Sequence, residues 1–174
     1  MRYLSSISVI IGLLFVMSCT SEMQPENRQN LQQKISSLEN GLILHDGTLL
    51  ADSAKKLISL YSNYSVKYPE DSIAAEYLFN AIDISLNLPQ PYKTLKLIDS
   101  YIALYPKDSR AGTALFFKAF LYDQQLGDLA YAKQYYEQFL AQYPDHDFVD
   151  DAQAALKYLG KSPEELIREF ETAN

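Results

Sequence analysis

The dipeptide Tyr-Pro stands at three places in the 174-residue chain, Tyr68-Pro69, Tyr105-Pro106 and Tyr143-Pro144, with steps of 37 and 38 residues. Proline lacks an amide hydrogen and disfavours the helical conformation in the residue before it, so each dipeptide stops a helix and turns the chain. Counting back from each proline aligns Tyr61, Ile98 and Tyr136, and then Tyr64, Tyr101 and Phe139. The spacing from Tyr61 to Tyr64 to Tyr68 is i, i+3, i+7, which falls along one helical face. A fixed period of this size marks an array of helix pairs, each burying its apolar face only against its neighbours. Such a chain offers surfaces rather than a catalytic pocket.

Short polar and acidic stretches follow the three turns: Glu70-Asp71-Ser72, Lys107-Asp108-Ser109 and Asp145-His146-Asp147. Their side-chain oxygens suit the free amides of a first helical turn, so helices are predicted over 73–86, 111–126 and 148–159. In this register Leu78 and Ala81 recur 38 residues later as Phe116 and Ala119. The first unit keeps its second helix, 49–68, and takes 30–40 as the partner. At the other end Ser162, Pro163 and Glu165 form a capping box, and Leu166, Ile167 and Phe170 give a one-sided last helix suited to cover the open edge of the array.

The segment 116–144 resembles the tetratricopeptide repeat through Phe116, Ala119, the turn Gly127-Asp128, Ala132, Tyr136, Phe139 and Pro144. It departs from the family pattern at Phe120, where a small residue belongs, and at Asp123, where a large aromatic belongs. In the unit before it, Pro89-Gln90-Pro91 replaces Gly-Asp, and Thr94 replaces the alanine. The resemblance implies an all-α helix-pair solenoid over 31–174, with about three pairs plus the capping helix. It also implies that ligands lie in a groove lined by the first helix of each pair, which makes Tyr77, Asn80, Lys118 and Tyr122 the candidate partner-binding residues. Tyr61, Tyr64, Tyr136 and Phe139 are expected in the core. Tyr77, Tyr92, Tyr122 and Tyr131 are expected to be less buried, because their repeat equivalents are not consistently apolar.

The N-terminus carries a different message. Arg2 is followed by an apolar run over 7–17, the pattern of a signal peptide, and about 11 residues fall short of the roughly 20 needed to span a bilayer as a helix. The run ends in Val16-Met17-Ser18-Cys19, and Cys19 is the chain's single cysteine. This resembles a bacterial lipobox. That likeness implies cleavage of residues 1–18, acylation of Cys19 and durable anchoring by two or three chains. Residues 19–30 then read as a lipidated tether. Thr20 stands where some bacteria place an inner-membrane retention aspartate, which points to the outer membrane, facing the periplasm. Together with helix pairs ending in Phe-Leu-x-x-Tyr-Pro, the lipobox resembles the tetratricopeptide lipoproteins of outer-membrane β-barrel assembly, which are longer.

A net charge of −7 and no run of more than two adjacent basic residues argue against nucleic acid, whose phosphates require a basic stripe. No catalytic site, metal or cofactor is expected. The two imidazoles, His45 and His146, lie apart in sequence; His45-Asp46-Gly47 reads as a turn, and Asp145-His146-Asp147 with Asp150 and Asp151 reads as a helix entry rather than a metal cluster. The expected partner is a protein or peptide of the cell envelope. The alternative is a small-ligand, glycan or peptide carrier, or an enzyme accessory, using the same groove; a buried, convergent polar set would mark it, whereas an open groove would mark protein binding.

Overall fold

A computed structural model of the chain describes residues 27–42 and 50–172. The leader, Cys19, most of the expected tether and His45-Asp46-Gly47 lie outside the described residues. Among those described there is no strand. The elements are α1 (Arg28–Glu39), α2 (Ala51–Lys67), α3 (Ala74–Leu86), α4 (Pro91–Leu104), α5 (Ala111–Phe120), a π-helical turn (Leu121–Gln125), α6 (Leu129–Gln142), α7 (Val149–Tyr158) and α8 (Pro163–Thr172). Each helix from α1 to α6 packs on the next in the chain. No described helix is long and apolar enough to cross a membrane.

The first helix begins earlier than expected, at Arg28 instead of residue 30. Asn27 is its cap, accepting from the Asn30 amide at 2.8 Å. On α2 the residues Ala54, Leu57, Tyr61 and Tyr64 share one face and are buried. On α3 a broader stripe is buried, including Leu78, Ala81, Ile82 and Ser85, because that helix lies between α2 and α4. The capping box forms as the sequence predicts. The Ser162 amide donates to Glu165 Oε2 at 2.8 Å, and the Glu165 amide donates to Ser162 Oγ at 3.2 Å. Ile167 on α8 is exposed, and the side chains of Leu166 and Phe170 lie outside the described residues.

The three Tyr-Pro turns are near copies of one another. Tyr68, Tyr105 and Tyr143 have φ, ψ of −132°, 57°, of −128°, 54° and of −132°, 60°. Each donates its amide to the carbonyl four residues back at 2.8 Å, closing the last helical turn. Two residues after each proline, the side chain of Asp71, Asp108 or His146 accepts from the amide two positions further on, at 3.2, 2.9 and 3.1 Å. One local solution therefore ends α2, α4 and α6 and starts α3, α5 and α7.

The difference between steps of 37 and 38 residues has a structural cause. Counted from the preceding proline, Ala74, Tyr77, Leu78 and Ile82 correspond to Ala111, Ala114, Leu115 and Ala119, and all eight are buried. The first helices are thus related by 37 residues. Leu78 matches Leu115, not Phe116, and this corrects the 38-residue register read from the sequence. The surplus residue enters afterwards, in the π-helical turn, where the Leu126 amide reaches back five residues to the Leu121 carbonyl at 3.0 Å. Gly127 then takes a left-handed φ of 65°, and Asp128 caps α6 through the Tyr131 amide at 3.2 Å.

Two clusters make up the core. One joins α1 to α4, with Ala114 of α5 and Leu121 of the π-helical turn, around Tyr61, Tyr64, Leu78, Ile82, Ile98 and Tyr101. The other joins α5 to α7 around Leu115, Ala132, Tyr136 and Phe139. Ile102 and Tyr122 pack against both and make the core continuous. Thr94, where the family pattern has alanine, is fully buried and bonded to Ser85 Oγ at 2.7 Å. The polar replacement is tolerated because its partner is buried with it.

Candidate functional site

The four candidate residues do not line a single surface. Tyr77 is buried, with 8% exposure, its ring centroid 5.0 Å from those of both Tyr61 and Tyr64. The expectation that it would be accessible is therefore corrected. The physical reason is the close packing of α3 on α2: Tyr77 enters the gap between two rings spaced i, i+3 on the facing helix, and aromatic pairs at this distance add to plain burial. Asn80 is half-buried beside the Tyr61 hydroxyl, which donates to Glu39 Oε1 at 2.6 Å.

Lys118 and Tyr122 turn the other way, towards α4 and α6. The Lys118 ammonium lies 2.6 Å from Asp99 Oδ1 and 4.2 Å above the centre of the Tyr135 ring, with only 13% of its side chain exposed. Burial opposes its charge, and the Asp99 carboxylate and Tyr135 more than offset that, so its pKa rises. Tyr122 is half-buried, stacked on Tyr131 at 5.0 Å and on Tyr135 at 5.4 Å. Tyr131 and Tyr92 are exposed, as their irregular repeat positions predict.

A groove does open beside the first helices of neighbouring pairs, near the C-terminal end, with a volume of about 850 Å³. Phe116 and Phe120 of α5, Phe148 and Tyr158 flanking α7, and Leu129 at the start of α6 supply its apolar surface. Phe116 is central: its ring lies 4.8 Å from Phe148, 5.6 Å from Phe139 and 5.7 Å from Tyr136. Phe120 and Leu129 remain 40% and 42% exposed, so part of the apolar surface is left to solvent.

Polar groups stand around this groove rather than converging within it. Asp151 and Gln124 are exposed, and Lys161 and Ser162 border the end near α8. Tyr136 donates to Asp123 Oδ2 at 3.4 Å, and burial, followed by the Asp123 charge, raises its pKa, so the hydroxyl stays protonated. The arrangement suits apolar or aromatic anchors flanked by basic groups. His146, the imidazole nearest in sequence, has a structural task. It accepts from the Phe148 amide just before α7, contacts Phe139 edge-on at 5.2 Å and bonds Thr113 Oγ1 at 3.2 Å.

The sequence contained one signal for this groove, namely Phe120 where the family pattern wants a small residue. Phe148 and Leu129 had been assigned only as helix-entry residues or not singled out. No protein-family model matches the chain, and no curated protein does so either.

Proposed function

We propose that this chain is a membrane-anchored, tetratricopeptide-like interaction scaffold of a bacterial cell envelope, tethered by acyl chains on Cys19, which holds a protein or peptide partner in the groove between α5 and α7. The observation that carries this reading is the open aromatic groove, with Phe120 and Leu129 uncovered and its polar groups on the rim. An enclosed pocket for a small ligand needs polar groups that converge on it, whereas protein partners take open apolar surface with a polar border. The repeated Tyr-Pro turns support a helix-pair solenoid. The lipobox and its resemblance to outer-membrane β-barrel assembly lipoproteins support an outer-membrane, periplasm-facing scaffold, with envelope protein assembly as its setting.

The test is photocrosslinking in intact cells from a benzoylphenylalanine placed at Phe120, with the same probe at Tyr92 as the remote control. A discrete adduct from position 120 that is absent from position 92 is the expected result. Equal patterns from both, or no adduct at 120, would end the groove assignment. Labelling with a radioactive fatty acid reports separately on the anchor, and equal labelling of wild type and Cys19→Ala would remove it.

A further inference from the structure

We propose that a second groove, between α2 and α4, is a docking site for an acidic amphipathic segment of a protein partner. The groove has a volume of about 600 Å³ and is bordered by Lys55, Lys93 and Lys96, over apolar surface from Ile58, Val66 and Leu97. Val66 is 66% exposed, the second-highest exposure among the large exposed apolar side chains of the described residues. Ser59, Ser62, Asn63 and Gln90 complete the lining, and no carboxylate belongs to it. Another groove flanks α2 on its α1 side, shares Ser59 with this one and adds Lys56, again with no carboxylate.

Lys55, Lys93 and Lys96 along one groove stand out in a chain of net charge −7. The acidic excess lies elsewhere. Residues 105–174 contain seven Lys or Arg against twelve Asp or Glu, and residues 27–104 contain seven against eight. Lys118 is held by Asp99 and Arg110 by Asp108 at 2.6 and 2.9 Å, whereas Lys55 meets Asp52 only at 3.7 Å, with both side chains exposed. Lysines set beside an apolar floor, in a lining without carboxylates, are complementary to a segment with carboxylates on its flanks and apolar side chains between them. An anionic bilayer would meet the lysine tips but leave the recessed Ile58 and Leu97 unfilled, so the geometry favours a peptide.

The test uses the full-length protein and a fluorescein-labelled synthetic helical peptide with leucines at i, i+3, i+4 and i+7 between glutamates, followed by anisotropy. Saturable binding is expected. It should weaken about tenfold or more in Lys55→Glu/Lys93→Glu/Lys96→Glu, and similarly for an equally charged peptide with serines in place of the leucines. Phe120→Asp, in the other groove, should leave it unchanged, which separates failure here from failure of the α5–α7 assignment. Because the lysines are exposed, the triple variant should melt like wild type; the milder triple Lys→Gln variant should lie between the two in affinity.

No saturable binding, equal binding by the triple variant, or equal binding of the serine peptide overturns the proposal. Displacement by phosphatidylglycerol vesicles but not by phosphatidylcholine vesicles would assign the groove to a lipid surface instead. Lysine-dependent self-association of the protein would assign it to a second copy. Either result replaces the acidic partner.

Discussion

The first and third Tyr-Pro turns share a backbone but are fastened by different chemistry. At the first, the buried Tyr64 hydroxyl donates to Asp71 Oδ2 at 2.9 Å, accepts from Gln32 at 2.9 Å, and Asp71 also takes Arg28 at 2.9 Å. At the third, Phe139 has no hydroxyl, and His146 packs its ring edge against it. Asp71 and His146 both occupy the second position after proline, and both accept from the amide that leads into the next helix. The fold therefore fixes the backbone and this bond, and leaves the inner fastening free to be polar or aromatic. The second turn lies between them: Arg110 grips Asp108 through Nε and a terminal nitrogen, both at 2.9 Å, and Tyr101 is left without a hydrogen bond among the described residues.

The largest effect expected is at Phe139. It is fully buried and touches Phe116, Tyr143 and His146, so Phe139→Ala should cost about 3–5 kcal/mol by thermal or denaturant unfolding. Hydrogen exchange should show the loss concentrated in α5 to α7, since Phe139 belongs to the cluster built on those helices, which meets the other through the partly buried Ile102 and Tyr122. Uniform loss of protection through α1 would mean that the two clusters are one cooperative unit and that the regional comparison fails.

A smaller effect tests whether the two fastenings are exchangeable. A Cβ added at Gly112 would lie 2.7 Å from His146 Cδ2 and 3.0 Å from Tyr143 Cδ1, so Gly112→Ala should destabilise by about 1–3 kcal/mol. The corresponding position one repeat earlier is Ala75, which stands before the turn holding Asp108. Alanine there coexists with the smaller aspartate. In a His146→Asp background, the Gly112→Ala penalty should therefore shrink by more than half in a double-mutant cycle. An unchanged penalty would place the clash with Tyr143 and not with the imidazole.

These turns were legible in the sequence because their causes are local: proline, the aromatic before it and the polar residue two places after it all act within a few residues. The π-helical turn was not, since one surplus residue can be absorbed anywhere between Ala111 and Leu129, and no glycine or proline falls within 121–125 to mark the place. A slip of one residue rotates a helical position by about 100°, so Lys118, 38 residues after Asn80, does not share its face. Lys118 meets Asp99 and Tyr135 instead of opening into the groove. Tyr77 failed for a different reason: its equivalent, Ala114, is small, and only the separation of α2 and α3 reveals that a tyrosine fits there.

Tyr64→Phe comes next, with an expected cost of about 1 kcal/mol, because it removes a hydrogen bond to a charged acceptor and leaves Gln32 without its partner. Acid should mimic part of this change. Asp71 has a lowered pKa, chiefly because it accepts the Ile73 amide, then the Tyr64 hydroxyl and Arg28. The Arg110 side chain lowers Asp108 in the same sense. A carboxylate whose folded pKa is depressed adds stability above its unfolded pKa and loses it as the pH falls through the folded value. Below the ordinary carboxylate range, the α2–α3 and α4–α5 junctions should therefore lose exchange protection progressively, and Asp71→Asn should flatten that dependence at the first turn only.

The smallest effect is the sharpest test of the comparison. Tyr101 is as buried as Tyr64 and sits at the same position relative to its proline, yet its hydroxyl, which lies near an Asp108 carboxylate held at both oxygens by Arg110, makes no well-formed hydrogen bond among the described residues. Burial, with Asp108 nearby, raises its pKa, so the group stays neutral while it is kept from water. Removing a buried hydroxyl that has no partner takes away a desolvation penalty instead of a bond. Tyr101→Phe should therefore change stability by no more than about 0.5 kcal/mol, in either direction, against the clear loss in Tyr64→Phe. In Arg110→Ala, where Asp108 is released, the same substitution should become costly, because Tyr101 could then donate to the carboxylate as Tyr64 does. If Tyr101→Phe costs as much as Tyr64→Phe with Arg110 in place, the second turn is fastened through the tyrosine after all, and the distinction between the two turns disappears.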